Sequence, residues 1–272
     1  MAKKDSLKQQ KFMSFMFRGK EIFKPLNTGH IDERVSCIRE YVANIYFYSK
    51  DGYTIMIDAG YNYDRLAEKM RWIDIRPESI NEIIVTHQDT DHVGAIEVDS
   101  QGLFKTAKIY VGRVENEYLE GRVRRKVYWG LYKLPQVHIE NDKTLIEDGE
   151  IFYIHDIKIE AFLVPGHTWG HLVYLIDDAY LFTGDTIWFG ADGGYAFLNT
   201  LAEDRKLQSV SLKRLEEKLR KRNPSLKIIT GHTGWTDDFD FAFRHVDEIC
   251  NALRRKPKVQ DPKAPYDGFD ES

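Results

Sequence analysis

The sequence predicts a layered α/β domain. Short apolar runs come in two batches, and each batch is followed by segments with helical spacing, which argues against a clean alternating doubly wound sheet. Glycine, aspartate and asparagine punctuate the runs where a strand must turn. The chain has 272 residues and 42% hydrophobic content, enough for one large domain, or two small ones, to bury a core without disulfides.

Taken in order, Tyr41 to Tyr48 and Tyr53 to Ile57 read as strands hinged at Lys50-Asp51-Gly52, a hairpin turn between aromatic and β-branched runs. Tyr63 to Met70 has helical spacing, and Ile83-Ile84-Val85-Thr86 suits a buried strand that a polar loop breaks abruptly. Lys108 to Val111 is the next strand. Ile151 to Ile154, Ile157 to Val164, His171 to Ile176 and Ala179 to Phe182 form a second run, with turns at Asp156, Gly166 and Asp177-Asp178. From Leu207 to Arg222 the apolar positions Val210, Leu212, Leu215 and Leu219 give an amphipathic helix that Asn223-Pro224 ends. Leu226 to Thr230 is a last buried strand and Phe239 to Leu253 a last helix. Residues 1–254 are expected to form a single domain, and 255–272, with Pro257, Pro262 and Pro265 among charges, a polar tail. No internal repeat is visible.

Charge narrows the partners. With 39 Lys+Arg against 43 Asp+Glu, the formal charge is −4, so no global electrostatic argument favours nucleic acid. Cys37 and Cys250 have no disulfide-scaffold or zinc-finger spacing and read as buried small hydrophobes, in keeping with a reducing compartment. Met1 to Lys24 lacks a signal-peptide core, and there is nowhere a run of apolar residues long enough to span a bilayer. A soluble, cytoplasmic protein is expected. The sequence does not set its oligomeric state.

The chemistry lies in the loops. In Thr86-His87-Gln88-Asp89-Thr90-Asp91-His92-Val93-Gly94, four possible metal ligands directly follow the apolar strand. Imidazole and carboxylate are the usual ligands of zinc, iron and manganese, and residues at i and i+2 on an extended segment point the same way. Three further strand ends repeat the pattern of turn and ligand: Pro165-Gly166-His167, Gly184-Asp185-Thr186 and Gly231-His232-Thr233. Any one of these alone reads as a capping Asp or a hydrogen-bonded buried His. Seven such residues at strand-to-loop junctions do not read as independent caps. His30, His138, His155 and His245 have no ligand spacing and carry no such argument.

This motif set resembles the metallo-β-lactamase fold superfamily, whose signature is His-x-His-x-Asp-His followed by Gly-His, Gly-Asp-Thr-like and C-terminal Gly-His turns. The resemblance covers about Tyr41 to Leu253. It implies a four-layer αβ/βα sandwich with the site between the two sheet edges. It also implies two divalent metal ions (zinc, iron or manganese): His87, Asp89 and His167 on one, Asp91, His92 and His232 on the other, Asp185 bridging. Asp58, in Ile57-Asp58-Ala59-Gly60, matches the family's Asp-x-Gly strand end and is expected to orient a ligand, and His171 lies near the site without ligating.

The sequence departs from the commonest pattern at Asp89, which makes the motif His-x-Asp-x-Asp-His. Two divalent ions over four histidines and three aspartates leave a net charge of +1, against +2 for five and two, and the added oxygen ligand favours iron or manganese over zinc. A carboxylate here resembles the flavodiiron branch, which supports the alternative of a di-iron or mono-iron oxidoreductase, although no room remains for a flavodoxin-like module. The leading expectation is a dinuclear metal-dependent hydrolase. It would use a metal-bridging hydroxide to cleave an ester, thioester, lactone or phosphoester bond of a small substrate, with Asp91 orienting the nucleophile and passing on its proton.

Two segments are candidate substrate walls. Residues 112–150 read as an insertion or lid, in which Arg122, Arg124, Arg125 and Lys126 beside Tyr128 and Trp129 suit either an anion clamp or a solvated helix that packs Trp129 and Tyr132 inward. The glycine-rich stretch from Trp188 to Tyr195 follows Asp185 directly, and its two named aromatics are expected to touch substrate.

Overall fold

The computed structural model describes residues 23–61, 65–97, 102–222 and 225–248. In chain order the strands are β1 (Gly29–His30), β2 (Val35–Glu40), β3 (Ala43–Lys50), β4 (Tyr53–Ile57), β5 (Glu82–Val85), β6 (Lys108–Gly112), β7 (Lys126–Val127), β8 (Tyr132–Lys133) and β9 (Lys143–Ile146). There follow β10 (Ile151–Ile154), β11 (Ile157–Leu163), β12 (Leu172–Ile176), β13 (Tyr180–Phe182), β14 (Ile187–Gly190), β15 (Gly193–Ala196), β16 (Lys227–Ile229) and β17 (Trp235–Thr236). The α-helices are α1 (Leu66–Trp72), α2 (Thr90–Val93), α3 (Arg113–Leu119), α4 (Arg205–Arg220) and α5 (Phe239–Phe243).

One sheet has seven strands in the order β1-β2-β3-β4-β5-β6-β9, and the other six, β10-β11-β12-β13-β16-β17. Side-chain alternation explains the layering. On β4 and β5, Ile55, Ile57 and Ile84 point into a core shared with Ile157, Ile159, Tyr174 and Phe182 of the six-stranded sheet. Their neighbours Met56, Ile83 and Val85 point the other way, onto Leu66 and Met70 of α1. The outer face of the second sheet, including Val173, Leu181 and Ile228, packs on Leu212, Leu215 and Leu219 of α4 and on α5. Strands buried on both faces read as unbroken apolar runs, which is why Ile-Ile-Val was recognisable. The result is the expected αβ/βα order of layers.

The hairpin between β3 and β4 turns at Asp51 (φ 49°) and Gly52 (φ 81°), the left-handed pair that matches strand twist. Helix α4 starts where Asp204 accepts hydrogen bonds from the backbone of Lys206 and Leu207, both at 2.9 Å. Its buried face differs from the expected one at three positions. Val210 is exposed, whereas Gln208 and Ser211 are buried against the turn at Gly166. At Gly166 (φ 141°) a Cβ would come within 2.3 Å of the Gln208 backbone, so polar residues are drawn into the interface by close approach.

Several expectations change. Residues 112–150 are not wholly an insertion, because β9 pairs in parallel with β6 and ends the first sheet. The β7–β8 hairpin between them lies outside both sheets. Its Trp129 and Leu131 are 69% and 86% exposed, so no helix packs Trp129 inward. The stretch after Asp185 is not a loose loop but the β14–β15 hairpin, paired from Ile187 with Ala196 to Gly190 with Gly193. Helix α5 is five residues long and not the expected helix to Leu253: 244–248 form turns and a bridge, while 249–253, with Cys250, and the 255–272 tail lie outside the described residues. Among the described residues no helix is long and apolar enough to cross a membrane.

Candidate metal centre

Strands β4, β5, β11, β13 and β16 all deliver their carboxyl ends to one edge of the sandwich, because parallel pairing of β4 with β5 and β13 with β16 points them the same way. The loop after β5 carries His87 and Asp89, and α2 carries Asp91 and His92. His167 comes from the turn after β11, Asp185 from the turn after β13, and His232 from the turn after β16. Close packing requires glycine at Gly184 (φ 49°), where a Cβ would lie 2.6 Å from Thr86 Oγ1 and 2.8 Å from the His171 ring.

The seven residues converge: six form two clusters, and Asp89 Oδ2 lies 3.2 Å from His167 Nε2 and 3.7 Å from His87 Nε2. Ligand-type atoms of His87, His167 and Asp185 lie within 4.8 Å of one another, as do those of Asp91, His92 and His232. Asp185 Oδ1 is 3.2 Å from His92 Nε2, while Oδ2 is 3.0 Å from His232 Nε2, 3.7 Å from His167 Nε2 and 3.8 Å from His87 Nε2. Donors on one tetrahedral ion with bonds of about 2.0–2.2 Å stand roughly 3.3–3.6 Å apart, close to these separations.

Hydrogen bonds fix which ring nitrogen is free. Asp58 Oδ2 accepts from His92 Nδ1 at 2.8 Å and from Thr86 Oγ1 at 2.8 Å, and that hydroxyl in turn accepts from His87 Nδ1 at 3.0 Å. His232 Nδ1 donates to the Val42 carbonyl. With Nδ1 as the donor, each Nε2 faces carboxylate oxygens, an arrangement that needs either a proton or a metal ion between them. Nε2 of His87 and of His92, and Oδ1 of Asp185, are buried without a hydrogen-bond partner in the protein. The donor set therefore fits divalent metal.

Electrostatics separate the groups. Burial and the neighbouring His92 hold the His87 ring well below its ordinary pKa, which keeps it neutral and able to ligate. Burial works against the charged form of His92, but Asp185, Asp58 and Asp91 outweigh it and raise the ring well above its ordinary value. Burial also raises Asp91, with Asp185 and Asp89 adding to the effect. Asp185 is drawn well below the carboxylate range despite burial, by His232 and His92.

His171 is buried beside the site. Its Nε2 accepts from the Asp185 backbone N–H at 3.1 Å, and its ring stacks on His87 at 4.7 Å, so it positions both without facing the ligand cluster. Trp188 and Tyr195 do not line the cavity above the site. They are fully buried in a cluster with Phe23, Val42 and Phe197, because the β14–β15 hairpin pairs their backbones and packs their rings inward.

That cavity measures about 440 Å³, with Asp89, Asp91, His167, Asp185 and His232 at its base. Its walls come from Phe23, Val42 and Tyr61 on one side and from the β7–β8 hairpin on the other, through Val127, Tyr128, Leu131 and Tyr132. Among its described lining residues there is no Lys or Arg. The basic run does not form an anion clamp through Arg122 or Arg125: Arg122 pairs with Glu117 and Glu120, and Arg125 is 2% exposed with its guanidinium on Asp89.

Two residues at the site had no usable signal in the sequence. Arg125 was one cation in a run of four, and only its burial sets it apart. Glu115, on α3, accepts from Gln88 N at 2.8 Å and from Thr168 Oγ1 at 2.7 Å, tying two ligand-bearing loops together. A glutamate in the first turn of a helix is commonly a solvated residue.

The comparisons with known proteins agree with this arrangement. The chain is 26% identical over 179 residues to the probable polyketide biosynthesis zinc-dependent hydrolase BaeB of Bacillus velezensis, covering 66% of this chain and 67% of that one. It is 28% identical over 141 residues to a hydroxyacylglutathione hydrolase of Buchnera aphidicola, covering 51% of this chain and 44% of that enzyme. The chain thus spans two thirds of one relative and under half of the other. A solved B3 metallo-β-lactamase with an active-site glutamic acid shares the fold, with a TM-score of 0.61 at 16% identity over 84% of this chain and 89% of that one. The profile of the metallo-beta-lactamase superfamily matches residues 38–248, the span that holds every ligand-type residue of the cluster, and the chain belongs to that superfamily.

Proposed function

We propose that the protein is a metal-dependent hydrolase of the carboxylic ester, thioester or lactone bond of a small substrate with an apolar acyl part. The observation that carries this reading is two adjoining triads of metal-ligand atoms at the floor of a cavity with mainly apolar walls. Divalent ions held there supply Lewis acidity and lower the pKa of a water molecule. His87, His167 and Asp185 would hold one, and Asp91, His92 and His232 the other, with Asp185 adjoining both. Residues 1–254 are taken as one catalytic domain in which the β7–β8 hairpin is the lid-like part of 112–150.

The chain's own groups account for the remaining steps. Asp58 and Val42 lock His92 and His232 with Nε2 facing inward, so no reorientation is needed when substrate arrives. Asp91 lines the cavity with its Oδ2 3.5 Å from His232 Nε2, a position from which its carboxylate would take a proton from the attacking water and return it to the leaving group. Leu131, Leu134 and Leu201 exclude water around the acyl chain. With no Lys or Arg among the described lining residues, the cavity favours neutral acyl substrates over phosphoesters. Asp89 no longer argues for iron, because Arg125 holds that carboxylate, and with it the oxidoreductase alternative loses its main support.

The test is turnover of matched ester, thioester, lactone and phosphodiester substrates by protein reconstituted with zinc or manganese. Cleavage of acyl substrates that stops on chelation is expected. Metal-loaded protein that cleaves none of them, or the phosphodiester alone, would refute the reading.

A further inference from the structure

We propose that the two halves of the metal centre are unequal, because Arg125 is a built-in cation of the half formed by His87, His167 and Asp185. The chain therefore binds one divalent ion tightly, through Asp91, His92, His232 and Asp185, and a second on the order of 100-fold more weakly, the scale on which outer partners tune metal affinity. This inference rests on the metal reading above and specifies it.

Arg125 reaches into the centre from the start of the β7–β8 hairpin. Its Nε donates to Asp89 Oδ1 at 2.9 Å, and its Nη2 lies 3.2 Å from Asp89 Oδ2 and 3.2 Å from His167 Nε2. The same Nη2 donates to the Leu201 carbonyl at 2.6 Å, and Nη1 to the Lys126 carbonyl at 3.1 Å, so the group is anchored on both sides. A guanidinium only donates, so it engages the Asp89 lone pairs that an ion in this half would need, and His167 Nε2 lies 3.2 Å from both Arg125 Nη2 and Asp89 Oδ2, so the ion pair crowds that ligand atom too. Gln88 Nε2 takes a further place on Asp89 Oδ1, at 2.6 Å. Asp89 thus occupies a ligand's position in the motif while acting as the counter-ion of an arginine.

A second, separate observation points the same way. His87, His92 and His232 have Nδ1 held by Thr86, Asp58 and Val42 respectively, whereas His167 Nδ1 is buried with no hydrogen-bond partner in the protein. Ligating histidines nearly always have that outer partner, and losing it lowers affinity. The half with Arg125 is also the half with the unanchored imidazole. Charge is rebalanced as well: three aspartates and one arginine carry the same net charge as two aspartates, so the pair stands in electrostatically for the histidine usual in the motif.

The test is to titrate metal-free protein with buffered free zinc, count bound metal by mass spectrometry, and follow manganese by electron paramagnetic resonance. Two well-separated binding steps are expected, with an uncoupled manganese spectrum at one equivalent. Replacing the pair together (Asp89→Asn with Arg125→Met) leaves no lone buried charge and should bring the two steps to within about tenfold, a gain of roughly ten-fold or more in the weaker step. Two equivalents of equal affinity in the wild type, or an unchanged gap in the folded double variant, overturn the inference while leaving the hydrolase reading intact. A protein that binds no metal overturns both. If the double variant does not fold, the wild-type isotherm decides alone.

Discussion

The Asp58 carboxylate receives the Nδ1 proton of His92 across 2.8 Å, from a backbone turned into the left-handed region at φ 56°. That conformation is costly for a residue other than glycine, so the surrounding structure must hold it. It brings one carboxylate to His92 directly and to His87 through Thr86. Asp58→Ala is therefore expected to weaken metal affinity by roughly 10–100-fold without removing a ligand. Competition with a chelator of known affinity measures it, and an unchanged affinity would contradict this role.

Asp185 differs from Asp58 because its two oxygens face histidines of both halves. Asp185→Ala should abolish hydrolysis and release bound metal together. Metal content and turnover measured on the same preparation check this. Effects as mild as those at Asp58 would show that Asp185 does not join the two halves.

Asp89→His restores the commoner motif but strands Arg125, which is buried and has no other carboxylate within ion-pair distance among the described residues. Breaking one side of such a pair costs about 3–5 kcal/mol. Chemical denaturation should show that loss for Asp89→His alone and recovery of most of it when Arg125→Met is added. The double variant, with three histidines in that half, should also prefer zinc to manganese more strongly than the wild type does. Equal stability of the wild type and Asp89→His would show that the pair contributes nothing.

Burial pushes the Glu115 carboxyl up to about 8, although the hydrogen bonds from Thr168 and Gln88 oppose the shift. An unfolded glutamate titrates near 4.5. Between those values the native protein binds more protons than the unfolded chain, so Glu115 makes stability fall as pH rises from about 4.5 to 8. Glu115→Gln keeps the shape and removes the titration. Melting temperature plotted against pH should be flatter for the variant across this window, and parallel curves would show that the carboxyl does not carry the effect.

Leu215 is packed between α4 and the outer face of the six-stranded sheet, away from the ligand-bearing loops. Leu215→Ala should cost about 2–5 kcal/mol of stability and leave the metal-binding steps of the folded protein unchanged. Urea unfolding and a zinc titration separate the two effects, and altered metal affinity would mean that the outer layer tunes the centre.

Local sequence determined the parts whose physics is local. Ile83-Ile84-Val85 is buried on both faces and so reads as a strand; Lys50-Asp51-Gly52 turns because Gly52 accepts the backbone angle; and the ligands follow strand ends because turns expose side chains there. Their order along the chain was enough to place all seven in one family pattern. Short strands such as Lys143–Ile146 have no signature of their own, since three half-buried residues and one buried one show no distinctive period and owe their pairing to β6. Trp188 and Tyr195 were misplaced because proximity to Asp185 in sequence says nothing about direction, and hairpin pairing turned both rings into the core. The contact of Asp89 with Arg125 is visible only in three dimensions. Its type and spacing match a ligand, and 36 residues further on Arg125 is carried by a hairpin to the same point, a pairing with no local signature because it is made by packing between distant segments.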